Sequence, residues 1–118
     1  MIQSFRDPKV YEKAMEMVEK IYALTKGFPR EEQYALTSQM TRACVSVPAN
    51  IAEGYGKKES TAEFKRFLFM AGGSSNEMQV LIEVSMRLGY TEKAYGNQLI
   101  EQYEEIGRMI GGLIKVWK

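Results

Sequence analysis

The chain has 118 residues, 45% of them hydrophobic and 26% charged, which fits one globular domain able to bury a core without disulfides or metal. Sixteen Lys and Arg against fifteen Asp and Glu leave a net charge of +1, so no global field favours nucleic acid and any basic surface must be local. Histidine is absent, which excludes the usual Ser and Cys triads and the histidine ligands of zinc and carboxylate-bridged di-iron sites.

The single cysteine, Cys44, allows no internal disulfide and fits a reducing compartment. It lies in an apolar, small-residue run, where a buried inert thiol is expected. The first residues show no charged lead followed by an apolar run, and no stretch approaches the roughly 18 apolar residues of a membrane span. Neither a signal peptide nor a membrane segment is expected, and the expected location is cytoplasmic.

Asp7 followed by Pro8 predicts a helix start, an N-cap acceptor and then proline at the first helical position. Val10, Ala14, Met17, Ile21, Leu24 and Phe28 repeat at gaps of four and three, a seam of period 3.5. Lys9, Glu12, Lys13, Glu16, Glu19 and Lys20 cover the other face, a solvated one. Lys26-Gly27 close this helix and Pro29 prevents its continuation.

A second helix is predicted from near Pro29 to about Tyr55, with Glu31 and Glu32 in its first turn. Leu36, Met40, Ala43 and Val47 form its seam, and Asn50 and Gly54 continue it past Pro48. A proline inside a helix removes one hydrogen bond and presses on the carbonyl four residues back, at a cost of about 3 kcal/mol. Because the seam stays in phase, the prediction is one kinked helix rather than two helices and a loop. Asn50 on the seam requires a partner for its amide. Gln39, Arg42, Ser46, Glu53 and Lys57 form a polar stripe, read as a hydrogen-bond network between helices, with a ligand or partner groove as the alternative.

Gly56-Lys57-Lys58-Glu59 makes a basic turn, and Ser60-Thr61-Ala62-Glu63 a capping box. The third helix then carries the seam Phe64, Phe67, Ala71, Ser74, Met78, Leu81, Ser85 and Leu88. A second apolar stripe through Leu68, Gly72, Ile82 and Met86 predicts another surface to bury against, making these the oligomer-interface candidates. Gly72-Gly73-Ser74-Ser75 predicts close packing, since a phosphate loop would need a lysine and a preceding strand. Gly89 ends helix three, Thr91 is the expected cap of helix four, and Glu92 falls in its first turn. Leu99, Tyr103, Ile106, Ile110, Leu113 and Trp117 form the fourth seam, with Lys115 and Lys118 at the dipole's negative end and Gly107, Gly111 and Gly112 suggesting a tightly approached face. No strand pattern and no solenoid repeat is present. Four heptad-patterned helices with short connections predict an all-α, up-down-up-down four-helix bundle.

Ser46-Val47-Pro48-Ala49-Asn50-Ile51-Ala52-Glu53-Gly54 resembles the signature of bacterial four-helix-bundle proteins encoded in intervening sequences of 23S ribosomal RNA genes; the accessory proteins of diversity-generating retroelements are similar. Phe28-Pro29 with Glu32, Tyr34 and Leu36, then Gln39, Arg42 and Ala43, match that family's entry into its second helix. Phe64, Phe67, Leu68, Ala71, Gly73, Ser74 and Glu77 match its third helix, and Leu88-Gly89-Tyr90 its end. Gly72 and Asn76 depart from the pattern, standing where larger apolar or flexible residues are expected. The resemblance implies a left-handed bundle assembling into a ring-like homopentamer and no enzyme activity; no cofactor is expected. In the retroelement relatives it implies a basic surface binding nucleic acid and a reverse transcriptase.

The structural motif and buried polar network expected from this reading comprise Gln39, Arg42, Ser46, Pro48, Asn50, Glu53, Gly54, Ser74 and Glu77. The candidate nucleic-acid surface is Lys57, Lys58, Lys65 and Arg66, with Glu59 and Glu63 among them; a merely solvated face is the competing reading. Three functions are therefore open: a homo-oligomeric RNA-contacting adaptor, a protein–protein scaffold without nucleic acid, and an enzyme using interior carboxylates such as Glu53 and Glu77 with a metal. The third is disfavoured because carboxylates beside Asn50, Ser46 and Arg42 are more simply structural.

Overall fold

The computed structural model describes residues 4–117; Lys118, expected at the end of the last helix, lies outside them. Four α-helices account for most of these: α1 (Lys9–Thr25), α2 (Leu36–Gly56), α3 (Thr61–Arg87) and α4 (Lys93–Val116). No strand occurs among the described residues. The 27 residues of α3, at about 1.5 Å rise each, span about 40 Å and set the 44 Å long axis of the molecule.

Helix starts and stops differ from their predicted positions where another group takes the expected cap. At α1 the cap position falls on Pro8, in extended conformation and without a side-chain bond, while the Asp7 carboxylate accepts the Ser4 N–H (3.0 Å). Pro29 opens only a 3-10 turn, Arg30–Glu32. α2 begins at Leu36, where Glu32 Oε1 accepts the Leu36 N–H (3.3 Å), so Glu32 acts from before the helix instead of within its first turn. Ser60 caps α3 by accepting the Glu63 N–H (3.2 Å), but the reciprocal half of the capping box is absent. Ser60 N–H donates to the Lys57 carbonyl (3.0 Å), and the Glu63 carboxylate turns to Arg66. Thr91 is not the cap of α4. That position is Glu92, and Thr91 is buried with its hydroxyl 2.8 Å from that of Ser85.

The end of α3 follows its prediction. Gly89 adopts φ +80°, a conformation without cost only for glycine. Its N–H reaches the Met86 carbonyl (3.0 Å) and the Tyr90 N–H the Ser85 carbonyl (2.8 Å), the paired bonds of a Schellman stop.

α2 runs through Pro48 as one helix. Past the proline, however, the core residues are Ile51, Gly54 and Tyr55, and Asn50 is only half-buried. A helix of 3.6 residues per turn drifts against a 3.5 repeat, so the seam that reaches Val47 steps four residues to Ile51 and not three to Asn50. The Asn50 amide finds its partners within α2, donating to the carbonyl (2.9 Å) and hydroxyl (3.0 Å) of Ser46.

α1 and α3 each pack against both α2 and α4, and the diagonal pairs do not meet. The shared core holds Ala14, Met17 and Ile21 of α1, Met40, Val47 and Ile51 of α2, Phe64, Leu68, Met78 and Ile82 of α3, and Leu99, Tyr103, Ile106 and Ile110 of α4. Cys44 sits within it and burial pushes its thiol pKa up to about 11. Tyr103 is fully buried with no hydrogen-bond partner for its hydroxyl among the described residues, and burial, then the nearby Cys44, raises its pKa.

Glycine marks close approach at two places only. A Cβ on Gly54 would stand 3.2 Å from the Phe64 carbonyl oxygen and 3.3 Å from Leu68 Cδ2, and one on Gly96 would overlap the Met86 side chain. The tight faces predicted at Gly107, Gly111 and Gly112 are not found, since a Cβ at any of them meets nothing within 4 Å. Gly73 is equally open, and Gly72 would make only an ordinary 3.9 Å contact with Ile110.

Candidate nucleic-acid interface at the turn between α2 and α3

Every cation of the predicted surface lies at the junction of α2 and α3. Lys57, Lys58 and Arg66 are exposed and Lys65 is half-buried. The turn is held by its own backbone, with Lys57 N–H on the Gly54 carbonyl (3.0 Å) and Lys58 N–H on that of Tyr55 (3.4 Å). An aromatic cluster braces it from beneath. Phe64 stacks on Trp117 with centroids 3.9 Å apart, and Tyr55 stands edge-on to both rings. The chain's last described residue thereby pins the start of α3. Burial, then the charge of Asp7, raises the pKa of the Tyr55 hydroxyl, which has no hydrogen-bond partner among the described residues.

The four cations are not equivalent. Arg66 is bound at two points by Glu63 (2.9 and 3.1 Å), a fork geometry that suits guanidinium. Arg66, first through that hydrogen bond, holds the Glu63 carboxyl below the usual range. The Arg66 guanidinium also lies 4.4 Å from the centroid of the Phe67 ring, and Lys57 Nζ lies 5.8 Å from it. Phe67, predicted for the core seam, is instead half-buried and serves as a platform for two cations. Phe69, two residues on, is 64% exposed. Neither aromatic was singled out for the surface from sequence, although the run Lys65-Arg66-Phe67-Leu68-Phe69 carries the signal: cations and aromatics alternating on a helix.

The predicted polar network shrinks to three residues at the α2–α3 seam. Ser46 and Ser74 share a hydroxyl–hydroxyl bond of 2.7 Å, and Asn50 donates to Ser46. All three are half-buried. Gln39, Arg42, Glu53 and Glu77 are exposed on the outer surface of their helices and do not join it, because each stands too far around its helix from the core stripe. Pro48 and Gly54 are buried, but as packing surfaces. Glu53 and Glu77 are therefore not interior carboxylates, and among the described residues no group of three or more acidic or cysteine side chains is placed to hold a metal.

The oligomer-interface candidates also require correction. Leu68 and Ile82 are 0% exposed, in the chain's own core, Met86 packs against Gly96, and Gly72 faces Ile110 of α4. This stripe is buried within the protomer, against α2 at Leu68 and against α4 at Gly72 and Met86. The apolar surface that α3 does leave in water lies on its far side: Phe69, Met70, Val80, Val84 and Leu88, with Val80 61% exposed. Between α3 and α4 an open groove of about 650 Å³ runs past Phe69, Asn76, Gln79 and Arg108. No helix among the described residues is long and apolar enough to cross a membrane.

Comparison with known proteins agrees with this geometry. The family model of the 23S rRNA-intervening sequence protein matches residues 6–112. Among solved structures, the crystal structure of a Bacteroides thetaiotaomicron VPI-5482 protein of unknown function from the S23 ribosomal protein family superposes with a TM-score of 0.81 at 26% identity, covering 91% of this chain and 96% of that one. No curated protein matches. With four helices packed about one core and a match over nearly its whole length, the chain belongs to the 23S rRNA-intervening sequence protein family.

Proposed function

We propose that this protein is a non-catalytic, homo-oligomeric adaptor that contacts RNA, or an RNA–protein complex, through the turn between α2 and α3. In this reading the four helices alternate up and down in one left-handed bundle domain, α2 bends at Pro48, and copies assemble into a cytoplasmic ring, pentameric by the resemblance stated above. The observation that carries the RNA contact is the cation–aromatic cluster in which exposed Lys57 and Arg66 lie over the half-buried Phe67 ring, with half-buried Lys65 beside them, in a family whose name ties it to ribosomal RNA. One copy neutralises few phosphates and binds weakly, whereas a ring presents the cluster several times to one RNA.

Light scattering gives the assembly mass, and anisotropy with a structured RNA hairpin at about 50 and about 200 mM salt gives affinity and its electrostatic share. Binding at the lower salt that weakens at the higher, and that falls in a Lys57→Glu, Lys65→Glu double variant of unchanged mass, supports the proposal. Absence of binding at the lower salt, or a strict monomer, removes it.

A second reading, a protein-binding scaffold without nucleic acid, draws support from the exposed apolar face of α3 (Val80, Val84, Leu88) and the near-zero net charge. A partner recovered by pull-down after nuclease treatment, together with no RNA binding, would favour it.

A further inference from the structure

Resting on the RNA-contacting reading, we infer that the ligand of this site is a single strand, whose unpaired bases stack on Phe69 while Lys57 and Arg66 contact its backbone. Four cations and two carboxylates crowd the turn, with Glu63 already bound to Arg66, so only a small net positive charge faces a nucleic acid. A duplex offers this surface little beyond phosphates and gains correspondingly little from it. A single strand also offers base faces, and stacking on an aromatic ring adds affinity that does not depend on charge.

The geometry around α3 suits such a ligand. At 100° per residue, Phe67, Arg66, Phe69 and Lys65 follow one another around the helix in that order, aromatic and cation alternating. The Phe67 ring is engaged by Arg66 and Lys57 and holds both cations in place. Phe69 is different: it is 64% exposed, and among the described residues the aromatic and cation–ring contacts do not include its ring. Beside it, the groove between α3 and α4 carries the side-chain amides of Asn76 and Gln79 and the guanidinium of Arg108, donors and acceptors suited to base edges or phosphate, with Glu104 on the rim as the one opposing charge. Its roughly 650 Å³ is room for an unpaired nucleotide.

The test compares a 12-nucleotide single-stranded RNA, the DNA of the same sequence, and the blunt RNA duplex, by anisotropy, with wild type, Phe69→Leu and Phe69→Trp, while light scattering follows the assembly. The expected result is tighter binding of at least one single strand than of the duplex, roughly tenfold weaker single-strand binding in Phe69→Leu, retention in Phe69→Trp, and unchanged mass. The salt dependence should be shallow, with a log–log slope of about −1 to −2 per protomer. Equal binding of all three nucleic acids, with Phe69→Leu at wild-type affinity, overturns the single-strand inference and leaves the RNA-contacting proposal standing. A change of mass in Phe69→Leu assigns the ring to an interface between copies and overturns it too. If wild type binds none of the three, the broader proposal itself has failed.

Discussion

Two Gly→Ala substitutions, at Gly54 and Gly107, separate helix propensity from helix–helix approach. In an α-helix interior, alanine is more favourable than glycine by about 1 kcal/mol, and both positions are helical. At Gly107 the new methyl meets nothing within 4 Å, so the propensity gain is realised and the variant is expected to be about 1 kcal/mol more stable. At Gly54 the methyl falls 3.2 Å from the Phe64 carbonyl oxygen and 3.3 Å from Leu68 Cδ2, with Phe67 Cβ at 3.5 Å. Two of these three neighbours cannot simply rotate away: one is helix backbone and one a Cβ, so α2 and α3 must separate by a few tenths of an ångström. Overpacking of this kind costs about 1–3 kcal/mol, which outweighs the propensity gain. The expected difference between the variants is therefore about 2 kcal/mol, with Gly54→Ala destabilised and Gly107→Ala stabilised. Urea unfolding followed by circular dichroism, at one fixed protomer concentration because assembly shifts apparent stability, measures it. A Gly54→Ala protein as stable as Gly107→Ala would show that the α2–α3 approach is not what glycine serves there.

Ile82→Ala removes a fully buried side chain and should cost about 2–5 kcal/mol, whereas Val84→Ser, on the exposed face of α3, should leave protomer stability within about 0.5 kcal/mol; loss of assembly mass in Val84→Ser alone would identify that face as the contact between copies. Cys44, buried with its pKa pushed up to about 11, should resist a thiol reagent at pH 8 in the folded protein and react fully in denaturant; stoichiometric labelling of the native protein within minutes would contradict its placement. Glu63, held below the ordinary carboxylate range first by its hydrogen bond to Arg66, should titrate by NMR at lower pH than a free glutamate and return to the ordinary range in Arg66→Gln. Because its folded pKa is depressed, its contribution is present above the unfolded pKa and lost as pH falls through the folded one; a Glu63 midpoint that Arg66→Gln leaves unmoved would show that the pair does not persist in solution.

Heptad spacing, the Gly89 stop and the Ser60 cap suffice to name four helices and most of their buried positions, because each is a local property of hydrogen bonding and of side chains sharing one face. Local signals also placed the basic turn, where the helical pattern pauses between Gly56 and Ser60. What they did not decide is which apolar stripe meets which neighbour. Leu68 and Ile82 read as a spare surface until the packed helices are seen to bury them completely, and Phe67 and Leu88 read as core until the arc of α3 that faces its neighbours is known. Asn50 changes side for a similar reason: about 20° of drift per heptad, accumulated over the two heptads from Leu36, turns it off the core and favours Ile51. The Glu53 and Glu77 carboxylates and Gly107, Gly111 and Gly112 carry no local sign of their surroundings, so what lies beside each is a property of the packed chain alone. Periodicity along one helix specifies a face; only the crossing of two helices, with side chains competing for the same volume, specifies what that face touches.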